Sequence, residues 1–247
     1  MVDLFGVADL SPATDYIQEQ GGEFLGDFPY CISIGICLSD GIVDQLVYHD
    51  DPQVQFTYTF HIYHVVTPRL DEIALLITQK LQRKGYRAFP VTATYNPYIE
   101  KTDSIVSDAY KLRSIFSHKL PAYLAGLGWV GKNCLLVAPE FGPRLRLTSV
   151  LTDAPFPTGE PMEDQCEDCN LCVDICPADA LKGRSFSLEE DRDERIDAVK
   201  CHHYRRGVLQ KKLGSRGCGL CVYVCPYGNP KISKSTPTPK VPGLENS

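Results

Sequence analysis

Between Tyr30 and Leu38 the residues Ile32, Ile34, Ile36 and Leu38 recur at every second position, the period that lines one face of a strand. Gly35 marks a possible point of close approach within it. Further on, Leu70, Ile73, Ala74, Ile77 and Leu81 recur at intervals of three and four, which predicts a helix with one apolar stripe. Thr67 reads as its cap, Pro68 suits its first turn, Asp71 and Glu72 favour its positive end, and Gly85 ends it. Tyr86 to Thr94 reads as a strand. A second helix is expected from Ser117 to Gly126, where Pro121 is tolerated because first-turn amides need no intrahelical acceptor. Leu135–Ala138 and Leu145–Leu151 read as strands. The short, turn-rich link Pro139–Pro143 predicts that they form an antiparallel hairpin, which argues against an all-parallel sheet.

These elements alternate irregularly, so the expected fold class is α+β: a mixed-sheet domain followed, on the cysteine pattern, by a dicluster ferredoxin-like domain of the bacterial kind. The boundaries are drawn at 1–161 for the first domain and 162–230 for the second. Residues 231–247, rich in Ser, Thr, Pro and Lys, are expected to form a disordered tail. No apolar run approaches the roughly 20 residues of a membrane helix. The N-terminus lacks a basic segment followed by an apolar one, so a cytoplasmic location is expected. A net charge of -6 gives no overall attraction to nucleic acid or to an anionic membrane.

The chemistry resides in the cysteines. Eleven of them, an odd number, argue against a disulfide framework and for metal ligation. Cys166, Cys169, Cys172 and Cys176-Pro177 spell CxxCxxCxxxCP, and Cys218, Cys221 and Cys225-Pro226 spell its last three members. Cys201 supplies the missing one, displaced upstream. Two-residue gaps wrap backbone around a cubane, and the cysteine before proline ligates the other cluster. The ligand sets therefore cross: Cys166, Cys169, Cys172 and Cys225 for one [4Fe-4S] cluster, and Cys176, Cys201, Cys218 and Cys221 for the other. A zinc ribbon on Cys166, Cys169, Cys218 and Cys221 would leave the other four unexplained. Cys31 and Cys37, on one face of a strand, and Cys134 read as small buried hydrophobes.

A longer pattern precedes these motifs. Ala125-Gly-Leu-Gly-Trp-Val-Gly-Lys-Asn133, a Leu-Leu strand, a Phe-Gly turn and a segment ending at Asp153 occur in that order before the dicluster motif. This resembles the epoxyqueuosine reductase family, which is related to cobalamin-dependent reductive dehalogenases, and Tyr63-His64 resembles part of that family's Asp-Tyr-His segment. The resemblance runs from about Tyr58 to Pro230. It implies an iron–sulfur reductase passing electrons through two clusters to a cobalamin, with Gly128, Trp129, Gly131, Lys132 and Asn133 lining the corrinoid site. From the residues alone, the glycines could let backbone approach a flat cofactor and Trp129 could cover it, or the loop could be a tight helix-ending turn. A flavin is the lesser cofactor alternative.

The sequence departs from the family in two ways. Where the family keeps a proton-donating aspartate, Lys111 to His118 contain no acid, and the family's C-terminal helical repeat, which helps hold tRNA, is expected to be missing. His118, His64 and Tyr63 are the candidate catalytic groups in its place, with His61 and Arg113 behind them. The stretch Lys200–Arg216 holds six Lys and Arg residues and two histidines without an acid. It reads as a solvated face or as a dock for an acidic electron donor or RNA backbone. The expected partners are a low-potential donor of ferredoxin or flavodoxin type and, beyond it, tRNA or a corrinoid protein. The rival to the enzyme is an electron-transfer protein that serves a partner without substrate chemistry of its own.

Overall fold

The computed structural model describes residues 2–94, 112–215 and 217–241. Its helices and strands divide into two compact units, one formed by residues 1–37, 65–129 and 146–163 and the other by 38–64, 130–145 and 164–247. The unit holding the cysteine motifs thus also takes in 38–64 and 130–145, which the sequence placed in the N-terminal domain.

The first unit is built on a four-stranded sheet in the order β1-β2-β6-β3, with β1 Leu4–Asp9, β2 Tyr30–Cys37, β3 Ala88–Val91 and β6 Leu145–Thr152. β1 runs antiparallel to β2, and β3 antiparallel to β6. With a neighbour on each side, β2 buries Cys31, Ser33, Ile34 and Gly35 while Cys37 stays half-exposed, so only one of its two cysteines is a core residue. Gly35 meets Leu4 and Leu147 so closely that a Cβ would lie 3.2 Å from each. That is the close approach expected of a strand glycine. The helix Thr67–Arg83 buries Leu70, Ala74 and Leu81, and Ala74 and Leu81 pack with Val150 and Ala154.

Two expectations are corrected. The strand after the Gly-Trp loop does not form a hairpin with β6: β5, Leu136–Val137, pairs with β4, Trp129–Val130, in a separate two-stranded sheet. The link is pinned elsewhere. Ala138 bridges to Gly142, and Gly142, at φ 56°, lies so near the Gly228 backbone that a Cβ would stand 2.4 Å from its nitrogen. Thr67 does not begin a helix either. The helix Pro52–Phe60 runs through a π-helical stretch, His61–Val66, into Thr67–Arg83. Asp51 caps the start, its Oδ1 accepting from Gln53 N–H at 2.7 Å and Val54 N–H at 3.3 Å. A widened turn of this kind accommodates Pro68, which has no amide to donate. The second helix is shorter than expected, Lys119–Leu124, with Pro121 in its first turn.

In the second unit, Leu171, Ile175, Leu220, Val224, Ile232 and Val241 form a core against which Cys169, Cys172 and Cys218 pack. Residues 231–241 are therefore not the disordered tail expected, since Ile232 and Val241 are 8% and 4% exposed. Residues 242–247 lie outside the described part. No described helix is long and apolar enough to cross a membrane.

Candidate iron–sulfur centre

Each CxxCxxxCP half folds the same way. A four-residue helix, Leu171–Asp174 or Leu220–Tyr223, carries the third cysteine of its run, and the chain then turns into the Cys-Pro step. The aliphatic residue before each of these cysteines, Leu171 and Ile175 or Leu220 and Val224, enters the shared core, so alternate residues fasten the loop and present thiols. Gly219, at φ 76°, opens the second helix because Tyr58 and Leu46 leave no room for a Cβ. The displaced Cys201 rides on the helix Ala198–His203, which Asp197 caps by accepting from Lys200 N–H at 2.9 Å.

All eight motif cysteines are free and half-buried. Burial pushes the thiols of Cys172 and Cys225 up to about 12, and the charges that add to it belong to Cys166 and Cys169, with Cys225 acting on Cys172 as well. Burial likewise raises Cys218 to about 12, with Cys201 and Cys176 adding to it, and raises Cys221, on which Cys218, Cys201, Cys172 and Cys176 act. Thiols buried together in this way become thiolates only against a strong cationic partner, which is what iron provides. Among the described residues no three His, Cys, Asp or Glu side chains are disposed around one metal ion. The donors in this segment are eight thiols, and all-sulfur donation is the chemistry that suits four-iron clusters.

The glycine loop is tied to this unit. Gly131 leaves space that a Cβ would fill, 2.8 Å from Val137 Cγ2 and 3.3 Å from Cys166 Sγ. Lys132, 8% exposed, donates to the Glu167 carbonyl at 2.7 Å and Asn170 Oδ1 at 3.2 Å. Asn133 donates to the Cys221 carbonyl at 3.4 Å and accepts from Leu135 N–H. The polar ends of these two residues thus brace the cysteine loops. Trp129 is buried, and Cys134, also buried, adopts φ 58°.

The candidate proton donors are dispersed. His118 makes two hydrogen bonds: Nε2 donates to the Thr92 carbonyl at 2.9 Å, so Nδ1 accepts from Ser149 Oγ at 2.8 Å. Burial lowers it to about 4, which leaves it neutral near pH 7 and short of a proton to give. His64 is exposed and stacks on Phe60. Tyr63 accepts from Arg205 at 3.2 Å. Of the segment Lys111 to His118, Lys111 lies outside the described residues, as does Arg216 of the basic stretch. His49 and Tyr204, which the sequence did not single out, are linked, the Nε2 of the buried His49 lying 3.1 Å from the Oη of the half-buried Tyr204, and Arg205 of the basic stretch is half-buried.

Residues 165–228 match the 4Fe-4S double cluster binding domain family. Epoxyqueuosine reductase of Bacillus anthracis is 40% identical over 111 residues, covering 41% of this chain and 27% of its own length. That of Vibrio cholerae is 30% identical over 176 residues, 67% of this chain and 40% of its own. In sequence this chain is similar to epoxyqueuosine reductases. It spans less than half the length of these curated relatives. Among solved structures, epoxyqueuosine reductase of Bacillus subtilis superposes with a TM-score of 0.55 at 19% identity, covering 96% of this chain and 64% of the other. A reductive dehalogenase described in terms of B12-dependent dehalogenation gives 0.65 at 19% identity, over 94% and 30%. The flavin alternative finds no support in these relatives.

Proposed function

We propose that this chain is an iron–sulfur reductase that passes electrons through two [4Fe-4S] clusters, on Cys166, Cys169, Cys172 and Cys225 and on Cys176, Cys201, Cys218 and Cys221, to a cobalamin. The observation that supports it is the spacing of eight half-buried cysteines within a segment, residues 165–228, that matches the double cluster family. Cobalamin, when bound, supplies a strongly reducing cobalt for breaking a carbon–oxygen or carbon–halogen bond. The loop Gly128–Asn133 is its proposed site. There Lys132 and Asn133 would act indirectly, by bracing the cysteine loops, and the buried Trp129 would support the loop from within. The substrate class extends to tRNA, since a relative has been solved with an epoxyqueuosine-modified tRNA stem loop. A ferredoxin or flavodoxin type of donor, in the cytoplasm, completes the proposal.

A second reading is an electron-transfer protein that serves a partner such as a corrinoid protein. The neutral, doubly hydrogen-bonded His118 favours it, because the segment where the family keeps its acid then offers no proton. Anaerobic purification followed by iron and sulfide assay, and then cobalamin titration, separates the two. About eight irons are expected. Base-off cobalamin bands on binding support the reductase, whereas eight irons with no cobalamin binding support the carrier.

A further inference from the structure

In each cysteine run the residue after the first cysteine stands in the left-handed region: Gly219, after Cys218, at φ 76°, and Glu167, after Cys166, at φ 49°. Glycine adopts that conformation freely, whereas a glutamate is strained in it. The strained residue makes a contact that a glycine could not make. Glu167 Oε2 accepts from Lys234 Nζ at 2.8 Å, and the same ammonium donates to the Gln165 carbonyl at 2.9 Å. That carbonyl also accepts from Tyr227 Oη at 3.0 Å, and the ammonium lies 5.4 Å from the centroid of the Tyr227 ring. A second lysine, Lys132, donates to the Glu167 carbonyl at 2.7 Å. The backbone before and after Cys166 is thus held by two lysines from outside residues 165–228, the part that matches the double cluster family.

Lys234 belongs to a segment, residues 229–241, that runs without helix or strand and is fastened along its length. Asn229, 2% exposed, donates to the Tyr223 carbonyl at 3.2 Å and accepts from Lys231 N–H at 3.1 Å. Lys231 pairs with Asp44 at 3.2 Å. Thr238 Oγ1 donates to Asp174 Oδ2 at 3.2 Å. Ile232 and Val241 enter the core formed with Leu171, Ile175, Leu220 and Val224. Between these two apolar anchors, Lys234 ties the segment to the first cysteine loop.

We propose that residues 229–241 are a strap against the Cys166–Cys169 loop, latched by Lys234 to Glu167 and Gln165, and that the closed strap keeps water and chelators from the cluster on Cys166, Cys169, Cys172 and Cys225. Glu167 and Lys234 are positioning residues, acting on the loop that carries the ligands. Their side chains are 68% and 35% exposed, so water weakens the ion pair. The latch therefore governs local opening of the loop rather than global stability. This proposal rests on the two-cluster reading above.

The test compares the full chain, purified anaerobically with its iron counted, with Lys234→Met, Glu167→Gly and Lys234→Arg. Protection of residues 165–169 against hydrogen exchange and the rate of iron loss to EDTA are measured, with a urea midpoint for each protein. Lys234→Met should lower that protection by at least about fivefold, the size of one charge-assisted hydrogen bond lost at a partly exposed site. It should also speed the loss of about four irons and leave the urea midpoint near that of wild type. Glu167→Gly removes strain and latch together and so separates them. Lower protection and faster iron loss in that variant support the latch, whereas protection equal to or above wild type overturns it. Lys234→Arg should restore most of the wild-type behaviour. Protection lost evenly from residue 164 to 241, with a lower urea midpoint, overturns the latch by making Lys234 a general stabiliser. Fewer than about four irons in wild type overturns the cluster reading, and exchange at residues 165–169 still decides the latch.

Discussion

Asn133 is joined to the cysteine motif at Cys221: its Nδ2 donates to the cysteine's carbonyl oxygen at 3.4 Å while its Oδ1 accepts from Leu135 N–H at 3.1 Å. One side chain thereby fixes its own loop and a cluster loop at once. Asn133→Ala leaves two backbone groups without partners in a site only 5% exposed, at a cost of about 1–3 kcal/mol. The expected result is a lower anaerobic urea midpoint together with faster bleaching of cluster absorbance in air. Unchanged bleaching with a lower midpoint would confine Asn133 to its own loop.

Gly131 makes the same point sterically. A Cβ there would stand 2.8 Å from Val137 Cγ2, 3.1 Å from Asn133 Oδ1 and 3.3 Å from Cys166 Sγ, so Gly131→Ala overpacks the site, typically a loss of about 1–3 kcal/mol. Because the crowding reaches a proposed ligand, iron content should fall below that of wild type, and assay of the purified variant checks it.

Arg144 is 2% exposed and donates to Asp40 at 2.7 Å and Asp44 at 2.8 Å. The two carboxylates are not equivalent, since the Asp40 side chain is 78% exposed and that of Asp44 26%. Burial alone would raise Asp44, but hydrogen bonds from Arg144 and Lys231 outweigh it and hold the carboxyl below its usual range. Removing the Asp44 charge leaves the buried guanidinium with only the exposed Asp40 carboxylate, so Asp44→Asn should cost about 1.5–3 kcal/mol. Asp40→Asn should cost under about 1 kcal/mol, because water screens that pair. Chemical denaturation of the two variants side by side decides the order.

Burial lowers both His118 and His49 to about 4. A histidine whose folded value lies below its unfolded one, about 6.5, stabilises the fold above pH 6.5 and loses that contribution as pH falls toward 4. In this window the unfolded chain binds more protons, so stability rises with pH. His118→Gln should flatten the slope of unfolding free energy between about pH 4.5 and 6.5 by roughly one proton. A slope equal to wild type would mean that His118 is charged in the fold.

The parts of the molecule readable in advance were those encoded over short spans. The cysteine spacing is local, and the Thr67–Arg83 pattern was visible because that helix buries residues at its own period; the alternation in β2 marked a strand, although of Ile32, Ile34 and Ile36 only Ile34 is fully buried, with Cys31, Ser33 and Gly35 buried on the other face. What failed depended on distant partners. Thr67-Pro68 and Asp51-Pro52 carry the same start signal, and only the π-helical stretch between them makes the first an interior position. The expected hairpin was undone by the Gly142–Gly228 contact, 86 residues apart along the chain. Ile232 and Val241 looked like isolated apolar residues in a polar tail until the cluster core supplied their neighbours. Lys132 and Asn133 were singled out by the family resemblance, but their partners at Glu167, Asn170 and Cys221 lie in another motif.

Removal of iron should affect the two units differently. The helices Leu171–Asp174 and Leu220–Tyr223 have four residues each, far below the length at which a helix stands alone in water. Their core rests on six aliphatic side chains, flanked by thiols that would be left buried and unligated. In the first unit, a four-stranded sheet with a 17-residue helix needs no metal to complete its packing. Chelation under anaerobic conditions should therefore open residues 164–241 to limited proteolysis while fragments from the sheet unit persist. Mass spectrometry of the fragments reads the outcome. Cleavage spread evenly over both units would mean that the clusters support the whole fold rather than the cysteine unit alone.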